Sequence, residues 1–153
     1  MSIEIKRACI VDAEEIVQAK ADAFREELAM YKRPSKFNTV QEIDFITNNY
    51  SYILKDDNQI IGGIVVTDKE NGHYHLGPIF VKLEYQNKGI GSLAMKFIEN
   101  EFPNTNKWTL ETPYLSYRNH HFYEKHGFIK VGETEPDPER NGFYLFLYEK
   151  ICY

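Results

Sequence analysis

The sequence predicts a mixed α+β fold, in which strands and helices alternate along one domain. Its 153 residues are 42% hydrophobic and 14% aromatic, and a single domain of this size buries about 70% of its unfolded surface. Strand-like alternation and helix-like periodicity follow each other in the order β-α-α-β-β-β-α-β-α-β-β. Neither a repeat nor a linker-like segment divides the chain. We therefore predict one domain over residues 1–153.

The amino-terminal part is predicted to hold one strand and two helices. Residues 2–9 alternate as in a strand, and Asp12 with Glu15 has the spacing of a capping box. Thr39 with Glu42 forms a second box and starts another helix. The first helix is expected to carry an apolar face formed by Val17, Ala21, Phe24 and Leu28.

The remaining elements are predicted from apolar runs between turn signals. Two strands flank the turn Asp56-Asp57-Asn58, and a further strand ends at Leu83. A helix then runs to Pro103, and Gly127 ends a second, shorter helix. The predicted segments are strands at 50–55, 59–67, 76–83, 107–112, 128–133 and 143–151, with the short helix at 117–126.

Composition and charge exclude several function classes. Charged residues from Glu4 onward leave no signal-peptide core, and no apolar run approaches the ~20 residues of a membrane span. We therefore expect a cytoplasmic protein without a membrane partner. The net charge of −5 argues against nucleic-acid binding. Cys9 and Cys152 have no metal-ligand spacing, so they are predicted to be small core residues, and no metal is expected.

The segment Gln86-Asn87-Lys88-Gly89-Ile90-Gly91 joins the strand ending at Leu83 to an amphipathic helix. Gly89 and Gly91 lack the Cβ atoms that would keep an anion away, and helix N-termini carry unpaired N–H donors. The loop therefore suits a pyrophosphate, or the glycines make a tight turn and nothing more. The apolar face of the helix is predicted to consist of Ile90, Leu93, Ala94, Phe97 and Ile98.

These six residues, with Tyr85 ahead of them, resemble the Gln/Arg-x-x-Gly-x-Gly/Ala loop of the GNAT N-acetyltransferases. The order of elements is also similar to that family. The resemblance implies the GNAT acyl-coenzyme A N-acyltransferase fold, with a central, mostly antiparallel twisted sheet, splayed fourth and fifth strands, and flanking helices. It implies acetyl-coenzyme A as co-substrate, bound by Gln86, Asn87, Lys88, Gly89, Ile90, Gly91 and Ser92.

Gly77-Pro78 lies inside the strand before this loop, where a proline cannot donate to a ladder. We expect the strand to splay there, which would leave backbone groups of Ile79, Phe80 and Val81 partly free. In the GNAT family, the main chain of the equivalent strand pairs with the pantetheine arm, so the resemblance assigns these three residues to cofactor binding. An ordinary edge strand is the alternative.

The segment from Asn119 to Phe128 resembles the Asn-x-x-x-Tyr-x-x-x-Gly-Phe segment of the same family. Asn119 and Tyr123 are four residues apart, so on a helix they share a face. The resemblance makes Tyr123 the general acid that protonates the departing thiolate, and Asn119 a pantetheine contact. Without it, a tyrosine on a helix face is most simply packing. Phe122 is expected in the core.

Acetyl transfer to an amine requires a base, because an alkylamine with a pKa of about 10.4 is protonated at pH 7. Many GNAT members have a carboxylate on the fourth strand, and His75 occupies that place here. Histidine is partly neutral at this pH, so His75 is a candidate base, and His73 could substitute for it or relay its proton. His75 could instead be a hydrogen-bonded structural residue.

The resemblance leads us to expect an N-acetyltransferase acting on a primary amine of a small molecule or peptide. The alternative is a catalytically idle acyl-coenzyme A binding or regulatory module. In this fold the loop between the first two helices lies beside the acceptor, and here it carries Lys32, Arg33 and Lys36, which favour an acidic acceptor. The aromatic carboxyl-terminal strand offers a surface on which a second copy could pair as a homodimer.

Overall fold

The computed structural model describes residues 2–34 and 36–153, and its backbone divides into two compact units. The first comprises the chain up to Thr67 together with residues 78–103, and the second comprises residues 68–77 and 104–153. Each unit combines mostly antiparallel strands with helices. The predicted single domain over residues 1–153 remains a prediction.

The first unit is built on four strands, β1 (Ile3–Arg7), β2 (Tyr50–Asp56), β3 (Gln59–Asp68) and β5 (Phe80–Val81). β2 pairs antiparallel with both β1 and β3, and β5 pairs antiparallel with β3. The hairpin predicted between the second and third strands is present, and Asp57 in its turn has a φ of 54°. Such a positive φ suits the Asp and Asn residues found there.

Two adjacent glycines in β3 allow β5 to approach closely. A Cβ atom on Gly62 would overlap the carbonyl oxygen of Phe80, and one on Gly63 would lie 2.8 Å from the Phe80 ring. Phe80 itself is buried. The glycines therefore fix the position of β5, the short strand that precedes the predicted cofactor loop.

The described residues of the first unit form the helices α1 (Ala13–Ala23), α2 (Arg25–Met30), α3 (Thr39–Asn48) and α4 (Ile90–Glu101). The apolar face predicted for the first helix is right for Phe24, which packs against the core, but wrong for Ala21, and Leu28 belongs to the separate helix α2. Ala21 is exposed and Val17 half-buried, whereas the residues that pack into the core with Ile53, Ile60 and Phe80 are Ala13, Ile16, Ala19 and Ala23. On α4, Leu93 is likewise exposed, and Met95 takes a core position beside Ile90, Ala94 and Ile98.

Both predicted capping boxes are misplaced. The Asp12 side chain accepts from the backbone N–H of Cys9 at 2.8 Å, so it closes the short turn before α1 and does not cap α1. Helix α3 is capped by Asn38, whose Oδ1 accepts from the N–H of Gln41. Glu42 is buried and pairs with Lys20 of α1, with 2.6 Å between Oε1 and Nζ. This pair joins α1 to α3. Removal of either side chain would leave the other as an uncompensated buried charge.

The second unit contains β4 (His73–Leu76), β6 (Lys107–Pro113), β7 (Ile129–Glu133), β8 (Leu145–Ile151) and helix α5 (Tyr117–Lys125). Within it the strand order is β4-β6-β8-β7. β4 runs parallel to β6, whereas β6 with β8 and β7 with β8 are antiparallel pairs. Gly127 follows α5 with a φ of 91°, a left-handed conformation that ends the helix.

The strand predicted over residues 76–83 is broken at Gly77-Pro78. β4 ends at Leu76, and its pairing with β6 stops at His75 opposite Thr109, although β6 continues to Pro113 along β8. Residues 80–81 form β5, and Leu83 begins a 3-10 turn. Proline interrupts the ladder because it has no N–H to donate, so the chain leaves β6 where a splay was predicted.

The core of the second unit is largely aromatic. Trp108, Leu110, Phe128 and Tyr148 are buried, and so is Tyr123 on α5. Phe122 was expected in the core, but it is only half-buried.

The cysteines also depart from the prediction: Cys9 is exposed and Cys152 half-buried. In the part of the chain that the structure describes, no helix is long and apolar enough to cross a membrane.

Candidate active site

The loop before α4 ends at Gly89, where a left-handed backbone starts the helix. Gly89 is the N-cap residue of α4, with a φ of 79°, and Asn87 has a φ of 63°. No side chain caps the helix at Gly89 within the described residues. A Cβ atom on Gly89 would have no described atom within 4 Å. The space beside Gly89, at the N-terminus of α4, is therefore open.

Carboxylate side chains of two other elements hold the 3-10 turn that leads into this loop. Leu83 donates its backbone N–H to Oδ1 of Asp22 on α1 at 2.9 Å. Tyr85 donates its hydroxyl to Asp56 at 2.8 Å, and this bond raises the pKa of Tyr85. Within the turn, the N–H of Tyr85 donates to the carbonyl oxygen of Lys82 at 2.9 Å, and that of Gln86 to the carbonyl oxygen of Leu83 at 3.2 Å. These contacts tie the loop to α1 and to the end of β2.

Gln86 and Val81 connect the loop to β5. The Nε2 group of Gln86 donates to the carbonyl oxygen of Val81 at 2.9 Å. Ile79, which follows the strand break, is half-buried, and the Phe80 side chain packs inside the core. The structure therefore brings the predicted pyrophosphate and pantetheine residues of the first unit together along one stretch of main chain.

The charge at the N-terminus of α4 suits an anion. The first turn of α4 contains no acidic residue, and the partial positive charge of a helix N-terminus favours a negative group. Lys88 is exposed, with its Nζ 5.8 Å from the centre of the Tyr85 ring. The residues present thus fit the diphosphate of a coenzyme A derivative.

In the second unit, α5 carries Asn119 and Tyr123 one turn apart. Tyr123 is only 6% exposed and lies among the rings of Phe122, Phe128 and Tyr148, with centroid separations of 5.3, 5.9 and 6.5 Å. Asn119 is half-buried, and its Nδ2 lies 3.4 Å from the hydroxyl of Thr112 on β6. The Tyr123 ring is therefore held by packing.

A second buried phenol lies beside Tyr123. Tyr148 of β8 donates its hydroxyl to Oε2 of Glu124 at 2.8 Å. Burial first, and this hydrogen bond second, raise the pKa of Tyr148 far above its usual range. Because its proton is held by the carboxylate, Tyr148 is a poor general acid. Of these two neighbouring phenols, Tyr123 is the better candidate for that role.

His73 and His75 both contact one hydroxyl group. Nε2 of His73 lies 2.8 Å from Oγ1 of Thr109, and Nδ1 of His75 lies 2.9 Å from the same oxygen. The two histidines are on one face of β4, and Thr109 is opposite His75 on β6. Sequence analysis named the histidines but missed Thr109, which lies 34 positions from His75 along the chain.

The surroundings keep both imidazoles neutral. Burial lowers the pKa of His75, as do Lys69 and His73 to a lesser degree, while Glu111 opposes the shift. Burial also lowers the pKa of His73, with Lys107 and Lys69 adding to the effect and Glu149 opposing it. His75 is therefore in the form that accepts a proton at neutral pH.

His120 is a further histidine of α5 that sequence analysis did not single out. It is buried, with its ring stacked on Phe146 at 4.5 Å and its Nε2 2.8 Å from the carbonyl oxygen of Pro113. These contacts join α5 to β8 and to the end of β6.

The basic loop after α2 is anchored through an aromatic contact. Phe37 lies 5.6 Å from Phe24 between ring centroids, whereas Lys32 and Lys36 are exposed and Arg33 is half-buried. Within residues 2–34 and 36–153, no cluster of three or more His, Cys, Asp or Glu side chains is placed to hold a metal ion.

Comparison with known proteins identifies the family. Residues 13–128 match the model of the acetyltransferase (GNAT) family, and the chain therefore belongs to the GNAT acetyltransferases. An uncharacterized Bacillus subtilis protein, YrkN, is 36% identical over 97 residues, which cover 60% of this chain and 52% of YrkN. The chain thus spans about half the length of this curated relative.

Solved structures share the fold over almost the whole chain. The PaiA N-acetyltransferase of Thermoplasma acidophilum, in complex with coenzyme A, has a TM-score of 0.83 at 20% identity, covering 99% of this chain and 100% of that one. Ard1 of Thermoplasma volcanium has a TM-score of 0.82 at 14% identity, with 100% and 99% covered. An acetyltransferase of Thermus thermophilus also scores 0.82, at 11% identity, with 99% and 98% covered. The predicted GNAT fold is confirmed.

Proposed function

We propose that this protein transfers the acetyl group of acetyl-coenzyme A to a primary amine of a small molecule or peptide. The observation that carries the proposal is the open α4 N-terminus at Gly89, in a chain of the GNAT family. Backbone N–H groups and the helix dipole would bind the diphosphate there. The main chain of Ile79, Phe80 and Val81 would pair with the pantetheine arm.

The acceptor amine must lose a proton before it attacks. His75 is proposed as the base, because its lowered pKa leaves the imidazole neutral at pH 7. The amine nitrogen then forms a bond to the carbonyl carbon of the thioester, and the carbon–sulfur bond breaks. Placing the two substrates together supplies most of the acceleration in such a direct attack.

Tyr123 is proposed as the general acid that gives its proton to the departing thiolate. The acetylated nitrogen still carries one extra proton, and its transfer to the phenolate restores the Tyr123 hydroxyl. Packing among Phe122, Phe128 and Tyr148 holds the phenol in one place. A side chain that is already held in position loses little conformational freedom when it donates its proton. Asn119, one turn earlier, would contact the pantetheine arm.

The proposal is tested by incubating the purified protein with acetyl-coenzyme A and a panel of amines. Release of free thiol, together with the mass of an N-acetylated product, is expected for at least one acceptor. The panel should include amino acids, acidic peptides and polyamines, each also measured without protein. If coenzyme A binds but no amine is acetylated, the protein is the idle binding module considered above.

A further inference from the structure

The hydroxyl of Thr109 lies between two imidazole rings at hydrogen-bond distance from each. The two separations, 2.8 Å to His73 Nε2 and 2.9 Å to His75 Nδ1, are those of good hydrogen bonds. A hydroxyl has one proton to donate and two lone pairs that accept. It can therefore donate to only one of the two histidines, and the other must donate its own N–H to the oxygen.

This proton count decides which nitrogen of His75 can act as a base. If Thr109 donates to His75 Nδ1, the neutral ring carries its proton on Nε2 and has no free lone pair. If His75 donates from Nδ1, its Nε2 lone pair is free, and Thr109 donates to Nε2 of His73. Only the second arrangement leaves His75 able to accept a proton from an amine.

We propose that Thr109 links His75 to His73 as a directional proton relay, which serves the acetyl transfer proposed above and therefore rests on it. In the resting chain, His75 Nδ1–H donates to Thr109 Oγ1, and Thr109 O–H donates to His73 Nε2. Thr109 is thus a positioning residue, because it fixes the tautomer of the base.

The relay balances in protons at each step. When Nε2 of His75 takes a proton from the amine, the proton on its Nδ1 moves to Thr109, whose own proton moves to Nε2 of His73. His75 ends as the neutral Nε2–H form, and His73 becomes an imidazolium with protons on both nitrogens. His73 then loses its Nε2 proton to solvent. Exchange with solvent removes the Nε2 proton of His75 and returns one to its Nδ1, while the Thr109 hydroxyl turns towards His73, and the resting arrangement is restored.

The charges around the two rings set the pH range of the relay. His73 is near Lys107 and Lys69, which disfavour its protonation, and near Glu149, which favours it. His75 is near Glu111 and Lys69. At neutral pH both rings are neutral, as the relay requires. In acid, protonated His73 donates its Nε2–H to Thr109. The hydroxyl of Thr109 can then no longer donate to His73, and the relay is interrupted.

The first test reads the tautomers and needs no substrate. In ¹⁵N-labelled protein at pH 7.5, NMR long-range proton–nitrogen correlations are expected to show both His73 and His75 protonated on Nδ1. Thr109→Val removes the acceptor that fixes Nδ1–H in His75, so that preference should be lost. Finding His75 protonated on Nε2, or His73 on Nε2, in the parent protein would overturn the relay.

The second test uses turnover with whichever amine the panel identifies. Thr109→Val should lower kcat/KM at least about tenfold near pH 7, and Thr109→Ser, which keeps the hydroxyl, should restore most of it. The dependence of kcat on deuterium content should be curved in the parent, because several protons move, and linear in Thr109→Val.

Thr67→Val is the matched control. Thr67 is also a half-buried strand threonine, and it donates its hydroxyl to Asn49 at 2.8 Å. It should retain the parental kcat/KM and isotope dependence. If the pH profile of kcat/KM of Thr109→Val matches that of Thr67→Val, the relay is wrong. If the parent protein acetylates no amine but both histidines are protonated on Nδ1, the proposed function alone is contradicted.

Discussion

The loop of residues 86–92 and the histidine pair of β4 are built by opposite means. The loop acts through its backbone: Asn87 and Gly89 adopt positive φ angles, and the N–H groups of α4 need no side chain. The histidine pair acts through side chains, and its geometry depends on a hydroxyl on another strand. A backbone site is specified by local sequence, whereas a side-chain site requires tertiary pairing. Binding and chemistry should therefore be separable by mutation.

The largest effect is expected from Tyr123→Phe, which tests that separation on the catalytic side. The ring and its packing remain, so the affinity for acetyl-coenzyme A should be unchanged, while kcat falls about 10²–10⁴-fold because the proton donor is lost. Calorimetry and thiol-release kinetics measure the two quantities. Undiminished kcat from pH 6 to 9, with chemistry rate-limiting, would remove Tyr123 from the mechanism.

Gly89→Asp tests the binding side. Two unit charges 4 Å apart near a protein surface repel by about 4 kcal/mol, or about 10³-fold in affinity. Coenzyme A affinity should therefore fall by about that factor. Gly142→Asp is the control, because Gly142 also has a positive φ, 76°, and open space around its Cβ position. Equal affinities in the two folded variants would show that the loop does not bind the diphosphate.

His75→Ala should act on chemistry alone, with a smaller effect than Tyr123→Phe. The lowered pKa of His75 places the acidic limb of kcat/KM below the usual histidine value of about 6.5. As pH rises through that pKa, the base becomes neutral and activity should increase. Removal of His75 should abolish this limb, lower kcat/KM about 10²-fold at neutral pH, and matter less where the amine is already neutral. An unchanged profile from pH 6 to 10 would make His75 structural.

The smallest effect concerns the acceptor. Reversing the exposed Lys32 and Lys36 to Glu should raise KM for an acidic acceptor about tenfold at low salt, since exposed charges contribute up to about 1 kcal/mol each. The effect should fade at physiological ionic strength, where the Debye length is about 8 Å. A neutral acceptor of the same length is the control. If both acceptors respond equally, these lysines do not select the acceptor.

Local sequence predicted those features that depend on backbone conformation. The break at Gly77-Pro78, the start of α4 after Gly89 and the end of α5 before Gly127 all follow from the special conformations of glycine and proline. The predicted element order is right except that the first helix is divided into α1 and α2, and the fourth strand into β4 and β5.

Features that depend on competing side-chain contacts were missed. Asp12 and Glu42 have capping-box spacing, but Asp12 closes an earlier turn and Glu42 pairs with Lys20 in the core. The face of α1 was misjudged because Lys20 is buried there, which a hydrophobic pattern does not indicate. Thr109 was overlooked because its partners are distant in sequence and meet it only through the pairing of β4 with β6.

The most direct test of the central claim, that the backbone of residues 89–92 binds the diphosphate, is an amide NMR titration with acetyl-coenzyme A. The account predicts that the largest ¹H and ¹⁵N shift changes occur at Gly89, Ile90, Gly91 and Ser92. The shift changes of the amides in the hairpin between β2 and β3 should stay small. Saturable binding that leaves the amides of residues 89–92 unmoved would contradict it.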